Sequence, residues 1–218
     1  MNNLVLCLTN TVAANFTANV LLAIGAKPAM IEEPSEAAAL AAVAGAMLVN
    51  VGTVTPSQAE VMRAAIGAAK CPWTLDPVAV QLLAYRRALV KEFLAAGPTM
   101  VRGNHDEIDF LFQTEPAAMA KTVVLSTGER DRLYPGNGAP AIEIAGGVPM
   151  LQTVTATGCA QGAVCAAMLA RGLSPLAAAE AASRLMKTAG ERAYARAKAP
   201  GAFQVALIDE LSLLSDDL

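Results

Sequence analysis

Short apolar runs alternate with alanine-rich segments along this entire chain, and that alternation limits its fold more than any other feature. Residues 4–8, 29–31, 47–51, 73–75, 99–101 and 122–125 are too brief for helices and rich in Leu, Val, Met and Trp, so they are predicted strands. A helix carrying Asn15 and Asn19 on one face follows the first strand, and residues 35–45, 56–70, 82–95 and 106–112 are predicted helices, the second of these opened by Pro56-Ser57. A Gly- and Pro-rich stretch, 130–151, suits one or two hairpin strands, and helices at 159–171, 175–199 and 205–214 complete the chain. Apolar strands joined by helices make a mostly parallel sheet covered on both faces, an α/β fold. No repeat, linker or low-complexity segment divides it, so residues 1–218 are expected to form one domain.

Ligands of such sheets collect beyond the carboxyl ends of the strands. Thr9-Asn10, Asn50, Asp76, Arg102-Gly103-Asn104, Thr127-Gly128 and Thr157-Gly158-Cys159 all fall at such ends, with residues 102–104 read as a loop. Their coincidence argues for one shared site. Composition narrows its ligand. A net charge of −3, with no basic cluster, argues against nucleic acid. Mean hydropathy is high, at +0.44, yet the longest apolar runs are short and broken, so a membrane span is not expected. The N-terminus has no positive charge ahead of its apolar stretch, so a cytoplasmic protein is expected, its excess apolar surface hidden between subunits. Four cysteines without CxxC spacing and a single histidine, His105, argue against structural zinc.

The stretch from Thr153 to Arg171 carries the sharpest signal. A β-branched run, Thr153-Val154-Thr155, meets small residues and then a long apolar helix, and the junction reads as a strand-to-helix turn. A helix start leaves backbone N–H groups unpaired at the positive end of the macrodipole, and small side chains let an anion reach them. Cys159 would lie in that field, where a thiol is expected to lose its proton more readily than usual. The plain alternative is a tight turn with a buried cysteine.

Asp76, before Pro77, and Glu107, after Gly103-Asn104, would suit Mg²⁺ on a nucleotide phosphate if they share the crevice with Cys159. Otherwise Asp76 is a turn residue or cap and Glu107 a solvated first-turn glutamate. Arg102 could serve a phosphate or lie on the surface, and Thr127-Gly128 could admit a nucleotide or simply turn the chain. Asn10, Asn15 and Asn19 could bind a heterocycle or cap helices, and Met30 could touch a ligand or fill the core. The sequence contains no GxxxxGK[ST], which excludes a P-loop, and no GxGxxG after a strand.

Taken in order, these blocks resemble the hydroxyethylthiazole kinase family of ribokinase-like enzymes. Cys7-Leu8-Thr9-Asn10 with Asn15, Asn19, Gly25-Ala26 and Pro28-Ala29-Met30 is similar to its opening. Asn50-Val-Gly-Thr53, Asp76-Pro77-Val78, Arg102-Gly-Asn104 with Glu107-Ile108, Thr127-Gly128, Thr155-Ala-Thr-Gly-Cys159 and Pro200-Gly201-Ala-Phe203 match its later blocks. The resemblance implies a three-layer ribokinase-like sandwich that phosphorylates 4-methyl-5-(2-hydroxyethyl)thiazole with ATP and Mg²⁺ in thiamine biosynthesis. It implies Met30, Ala156, Asn10 and Asn15 at the thiazole, and Arg102, Thr127, Asn104 and Gly158 at ATP. Asp76 and Glu107 would hold the metal and Cys159 would lie beside the reacting hydroxyl, in a homotrimer with sites between subunits. Other small-alcohol kinases of the same fold, or a thiazole-binding homologue without activity, are the alternatives. Three positions depart from the family: Ala156 replaces a glycine of the anion-binding turn, and Ala79 and Gln81 replace glycines after Asp76-Pro77-Val78. The 108–121 region is also expected to be short.

Overall fold

The computed structural model describes residues 2–215. Its eight strands are β1 (Leu4–Leu8), β2 (Lys27–Met30), β3 (Ala46–Asn50), β4 (Trp73–Asp76), β5 (Met100–Asn104), β6 (Val123–Thr127), β7 (Asp131–Tyr134) and β8 (Ile142–Ile144). They form one sheet in the order β2-β1-β3-β4-β5-β6-β7-β8, parallel from β2 to β6 and antiparallel for β7 and β8. The helices are α1 (Ala14–Ala23), α2 (Pro34–Ala41), α3 (Pro56–Ala68), α4 (Ala84–Ala95), α5 (His105–Thr114), α6 (Pro116–Met119), α7 (Thr157–Ala170), α8 (Pro175–Arg196) and α9 (Pro200–Ser215).

Successive strand residues point to opposite faces, and here both faces are core. Val5 and Cys7, Ala46 and Leu48, Met100 and Leu125 pack under α1, α7, α8 and α9. Leu6 and Leu8, Met47 and Val49, Val101 and Val124 pack against the layer of α2, α3, α4 and α5. That is the three-layer α/β arrangement expected. Alanine lets α7 lie close on the sheet: nearly every residue from Ala160 to Ala170 is buried. Gly162 belongs to this fit, since a Cβ there would stand 3.2 Å from Leu48.

Two expectations are corrected. Arg102-Gly103-Asn104 is not a loop but the end of β5, with Arg102 opposite Leu125 and Asn104 opposite Thr127. Pairing with β6 overrides the turn-like residues, and Gly103 leaves room for Glu107, whose carboxylate a Cβ would approach to 3.1 Å. Nor is Thr153-Val154-Thr155 a strand. A 3-10 turn (Pro149–Gln152) leads into a bend, and Thr157 donates from Oγ1 to the carbonyls of Leu151 (2.6 Å) and Val154 (3.1 Å), curling the segment away from any sheet partner.

Candidate active site

The strand ends border a crevice of about 640 Å³ in which Asp76, Arg102, Glu107, Thr127 and the Ala156–Cys159 segment converge. Its centre is the start of α7. The first helical hydrogen bond there runs from the Ala160 N–H to the Ala156 carbonyl at 2.8 Å, so the N–H groups of Thr157, Gly158 and Cys159 precede the ladder. Ala156 is left-handed, with φ +69°, and the αL-to-αR step aims successive amides into one concavity. Gly158 faces Arg102: a Cβ there would stand 2.9 Å from Nη1.

The left-handed residue is an alanine, which costs roughly 1–2 kcal/mol against a residue without Cβ. Ala79, at φ +56°, carries the same strain while its N–H donates to Glu107 Oε1 at 2.8 Å. Replacing Ala156 with glycine is therefore expected to raise the unfolding midpoint by about 2 °C, strain relief exceeding the entropy lost to glycine. Calorimetry checks this, and a lower midpoint would show that the methyl group contributes more through packing than it costs in strain.

Asp76 ends β4 and is almost inaccessible to solvent. Asn50 Nδ2 donates to its Oδ2 at 2.7 Å, Arg102 Nη1 stands 3.8 Å from the same oxygen, and Oδ1 has no partner. Burial pushes this carboxyl from its ordinary 3.8 up to about 7, against the pull of Arg102 and with a further push from Glu107. Arg102 donates from Nη2 to Thr127 Oγ1 at 2.7 Å, and Thr127 donates on to the Gly103 carbonyl at 3.2 Å. Neither Asp76 nor Arg102 is the turn or surface residue of the plainer readings.

Glu107 is buried as well. Its Oε2 accepts from the Asn104 N–H and Asn104 Oδ1 accepts from the Glu107 N–H, a reciprocal cap that starts α5. Both Glu107 oxygens thus already accept a backbone bond, each keeping one lone pair free. Among the described residues, no group of three or more His, Cys, Asp or Glu side chains could enclose a metal. An orphaned Asp76 oxygen beside Glu107 fits Mg²⁺ carried in on phosphate oxygens and water, the ion's usual preference.

Cys159 does not behave as expected. Its thiol is pushed up to about 11, first by burial and then by the Asp76 carboxylate, against hydrogen bonds from Asn50 and Asn10 and the charge of Arg102. Desolvation outweighs the helix start, and the group is a neutral thiol at pH 7. Cys7 and Cys165, expected to be inert in the core, are buried and raised to about 12.

Asn10 reaches the site. Its Oδ1 accepts from the Ala13 N–H, which turns Nδ2 toward Asn50 Oδ1 (3.0 Å) and Cys159 Sγ (3.5 Å). Asn15 and Met30 do not line the crevice: Asn15 is exposed on α1, its Oδ1 accepting from Asn19 Nδ2 at 3.2 Å, and Met30 ends β2 on the flank of the sheet. Sequence reading missed Gln161, which accepts from Arg102, and Lys187, which lines the far wall. It also gave no ligand-site role to His105, which lines the crevice with Nδ1 2.7 Å from Ser126 Oγ and Nε2 so close to Gly128 that no Cβ fits there.

Comparison with known proteins decides the family. The model of the hydroxyethylthiazole kinase family matches residues 1–119 and 110–217. This chain belongs to that family. Hydroxyethylthiazole kinases of Escherichia coli O127:H6 and O157:H7 are 42% and 43% identical to this member, each over 99% of the chain and 90% of the relative. A hydroxyethylthiazole kinase from Pyrococcus horikoshii OT3 superposes with a TM-score of 0.90 at 32% identity, covering 96% of this chain and 87% of that one. At the level of fold alone, a ribokinase-like superfamily protein from Enterococcus faecalis V583 matches with a TM-score of 0.69 and 12% identity over 96% and 86% of the two chains. In this hydroxyethylthiazole kinase family member, the ribokinase-like sandwich presents a crevice lined by residues of the Asp76–Val78, Arg102–Glu107, Thr127-Gly128 and Ala156–Cys159 blocks.

Proposed function

We propose that this chain transfers the γ-phosphoryl group of ATP to the hydroxyl of 4-methyl-5-(2-hydroxyethyl)thiazole, in thiamine salvage in the cytoplasm. The observation that carries the reading is the meeting of an amide concavity with a buried arginine and two carboxylates on one row of strand ends. Phosphoryl transfer asks a protein for alignment and charge stabilisation more than for covalent chemistry. Mg²⁺ bound between ATP and the Asp76 side would neutralise charge on the β- and γ-phosphates. The N–H groups of Thr157, Gly158 and Cys159 stabilise the phosphoryl oxygens as the P–O bond loosens. Arg102, fixed by Thr127 and Gln161, adds positive charge beside Gly158. Glu107, with both oxygens already accepting backbone bonds, would help to hold the metal, and Asn104 contributes its free amide at the crevice mouth.

Cys159, a neutral thiol, orients the alcohol rather than abstracting its proton. The alcohol proton leaves late in transfer, to a phosphate oxygen or water, so no strong base is required. Cys159→Ala is therefore expected to lower kcat by about 10- to 10²-fold with ADP affinity within a factor of two. Unchanged turnover would remove the thiol from the reaction.

Asn10, Asn15, Met30 and Ala156 define the thiazole side. Asn15 and Met30 lie outside the crevice of one chain and Val12 and Leu22 stand exposed on the same flank, which supports a homotrimer whose neighbouring subunit completes the pocket. The whole chain, 1–218, acts as one domain in this reading. The deciding assay follows ADP release with the thiazole alcohol, with and without Mg²⁺. Release requiring both supports the reading. Release with pyridoxal or a pyrimidine alcohol instead would reassign the substrate, and none at all would make the protein a binder only.

A further inference from the structure

Among the polar residues of helix α8, Ser183, Lys187 and Glu191 stand at intervals of four. That spacing puts them in one stripe facing the far wall of the crevice. Lys187 is buried, and its ammonium meets four oxygens: the carbonyl of Gly146 at 2.9 Å, that of Glu129 at 3.2 Å, that of Gly128 at 3.5 Å, and Asp131 Oδ1 at 3.2 Å. Asp131 is held in turn by Ser183, which donates to Oδ2 at 2.7 Å, and its Oδ1 accepts from the Gly128 N–H at 3.1 Å. Glu191 accepts from the Gly147 N–H at 2.6 Å. Gly146 and Gly147 both have positive φ, so this loop has little rigidity of its own.

We propose that Lys187 is a positioning residue for the nucleotide, an internal ammonium ion that fixes the Gly128–Glu129 turn and the Gly146–Gly147 loop as the wall on which ATP rests. An ammonium group has three N–H donors, and four oxygens already compete for them, so none is free to reach a phosphate. Lys187 therefore acts through the loops rather than on the ligand. The turn it holds follows Thr127 directly, at the opposite end of the crevice from Cys159 and Asn10. Its loss should therefore weaken the nucleotide and spare the thiazole. Removing the ammonium group leaves a carboxylate and three carbonyls around a cation-sized vacancy, which a small monovalent cation can refill.

This inference rests on the kinase reading for the identity of the nucleotide, and ADP binding separates the two. Lys187→Met, close in volume, is expected to raise the ADP Kd and the KM for ATP by about 10- to 10²-fold through misplaced loops. The KM for the thiazole alcohol and the kcat should stay within about threefold. Ammonium chloride should restore ADP affinity, whereas tetramethylammonium chloride at the same ionic strength should not. Should Lys187→Met fail to fold, Ser183→Ala and Glu191→Ala each remove one tie and are expected to raise the ADP Kd by about threefold. Unchanged ADP affinity in the folded variants, or a loss that ammonium leaves untouched, overturns the proposal. A wild type that binds ADP in a Lys187-dependent way without turnover overturns the kinase reading alone, and a wild type that binds no ADP overturns both.

Discussion

Asp76→Asn is expected to lower kcat by about 10²- to 10³-fold and to raise the Mg²⁺ concentration needed for half-maximal rate. The substitution keeps the shape of the side chain, so the protein should fold and the loss should be chemical. In the wild type, pH carries the same information. The folded Asp76 carboxyl titrates near 7 while its unfolded counterpart titrates near 3.8, so from about pH 4 to 7 the folded chain holds a proton that the unfolded chain has released. Stability supplied by this group is complete below that window and falls as pH rises through it. In the proposed metal role the ionised form is the one that would serve Mg²⁺, so activity is expected to rise through the upper part of the same window. Rate measurements across pH 6–8 at several Mg²⁺ concentrations check this: the half-saturating Mg²⁺ concentration should fall as pH rises. A flat profile, or an asparagine variant within threefold of wild type, would remove Asp76 from the metal site.

Arg102→Met should produce a comparable loss of turnover, about 10²- to 10³-fold, for a different reason. Arg102 is buried between the sheet and the first turn of α7, and its guanidinium packs against Gly158, where a Cβ would stand 2.9 Å from Nη1. Its removal deletes the positive charge that the proposed reaction sets beside the phosphoryl group. It also deletes the one neighbouring cation that lowers the proton affinity of Asp76. The pH at which activity appears should therefore move upward from neutrality, a shift that loss of a phosphate contact alone would not give. An unchanged pH profile in a folded, weakened Arg102→Met variant would separate the two roles.

Much of this site is legible in the sequence because polar residues at the ends of apolar strands have few other reasons to be there. Asn50, Asp76 and Thr127 each end a strand, and the sheet sets them in a row. Other features depend on distant partners. Arg102-Gly103-Asn104 has the composition of a loop, yet β6 recruits it as strand. The acidity of Cys159 was misread because the helix start is visible locally, whereas the burial and the Asp76 carboxylate that oppose it come from the folded chain. Asn15 and Met30 lie on a flank away from the crevice. Lys187 hid in an alanine-rich helix, and only its spacing from Ser183 and Glu191 hinted at a function.

The strand order also has a kinetic consequence. From β1, which leads into Asn10, to β6, which ends in Thr127, the sheet takes four lateral steps, about 19 Å of rim. In the proposed assignment the acceptor would take the β1 flank and the nucleotide the β6 flank, so the two would approach from opposite ends of a common edge. Neither would then stand in the other's doorway. An enzyme laid out in this way can load its two substrates in either sequence, and can release one product while the other still occupies its berth.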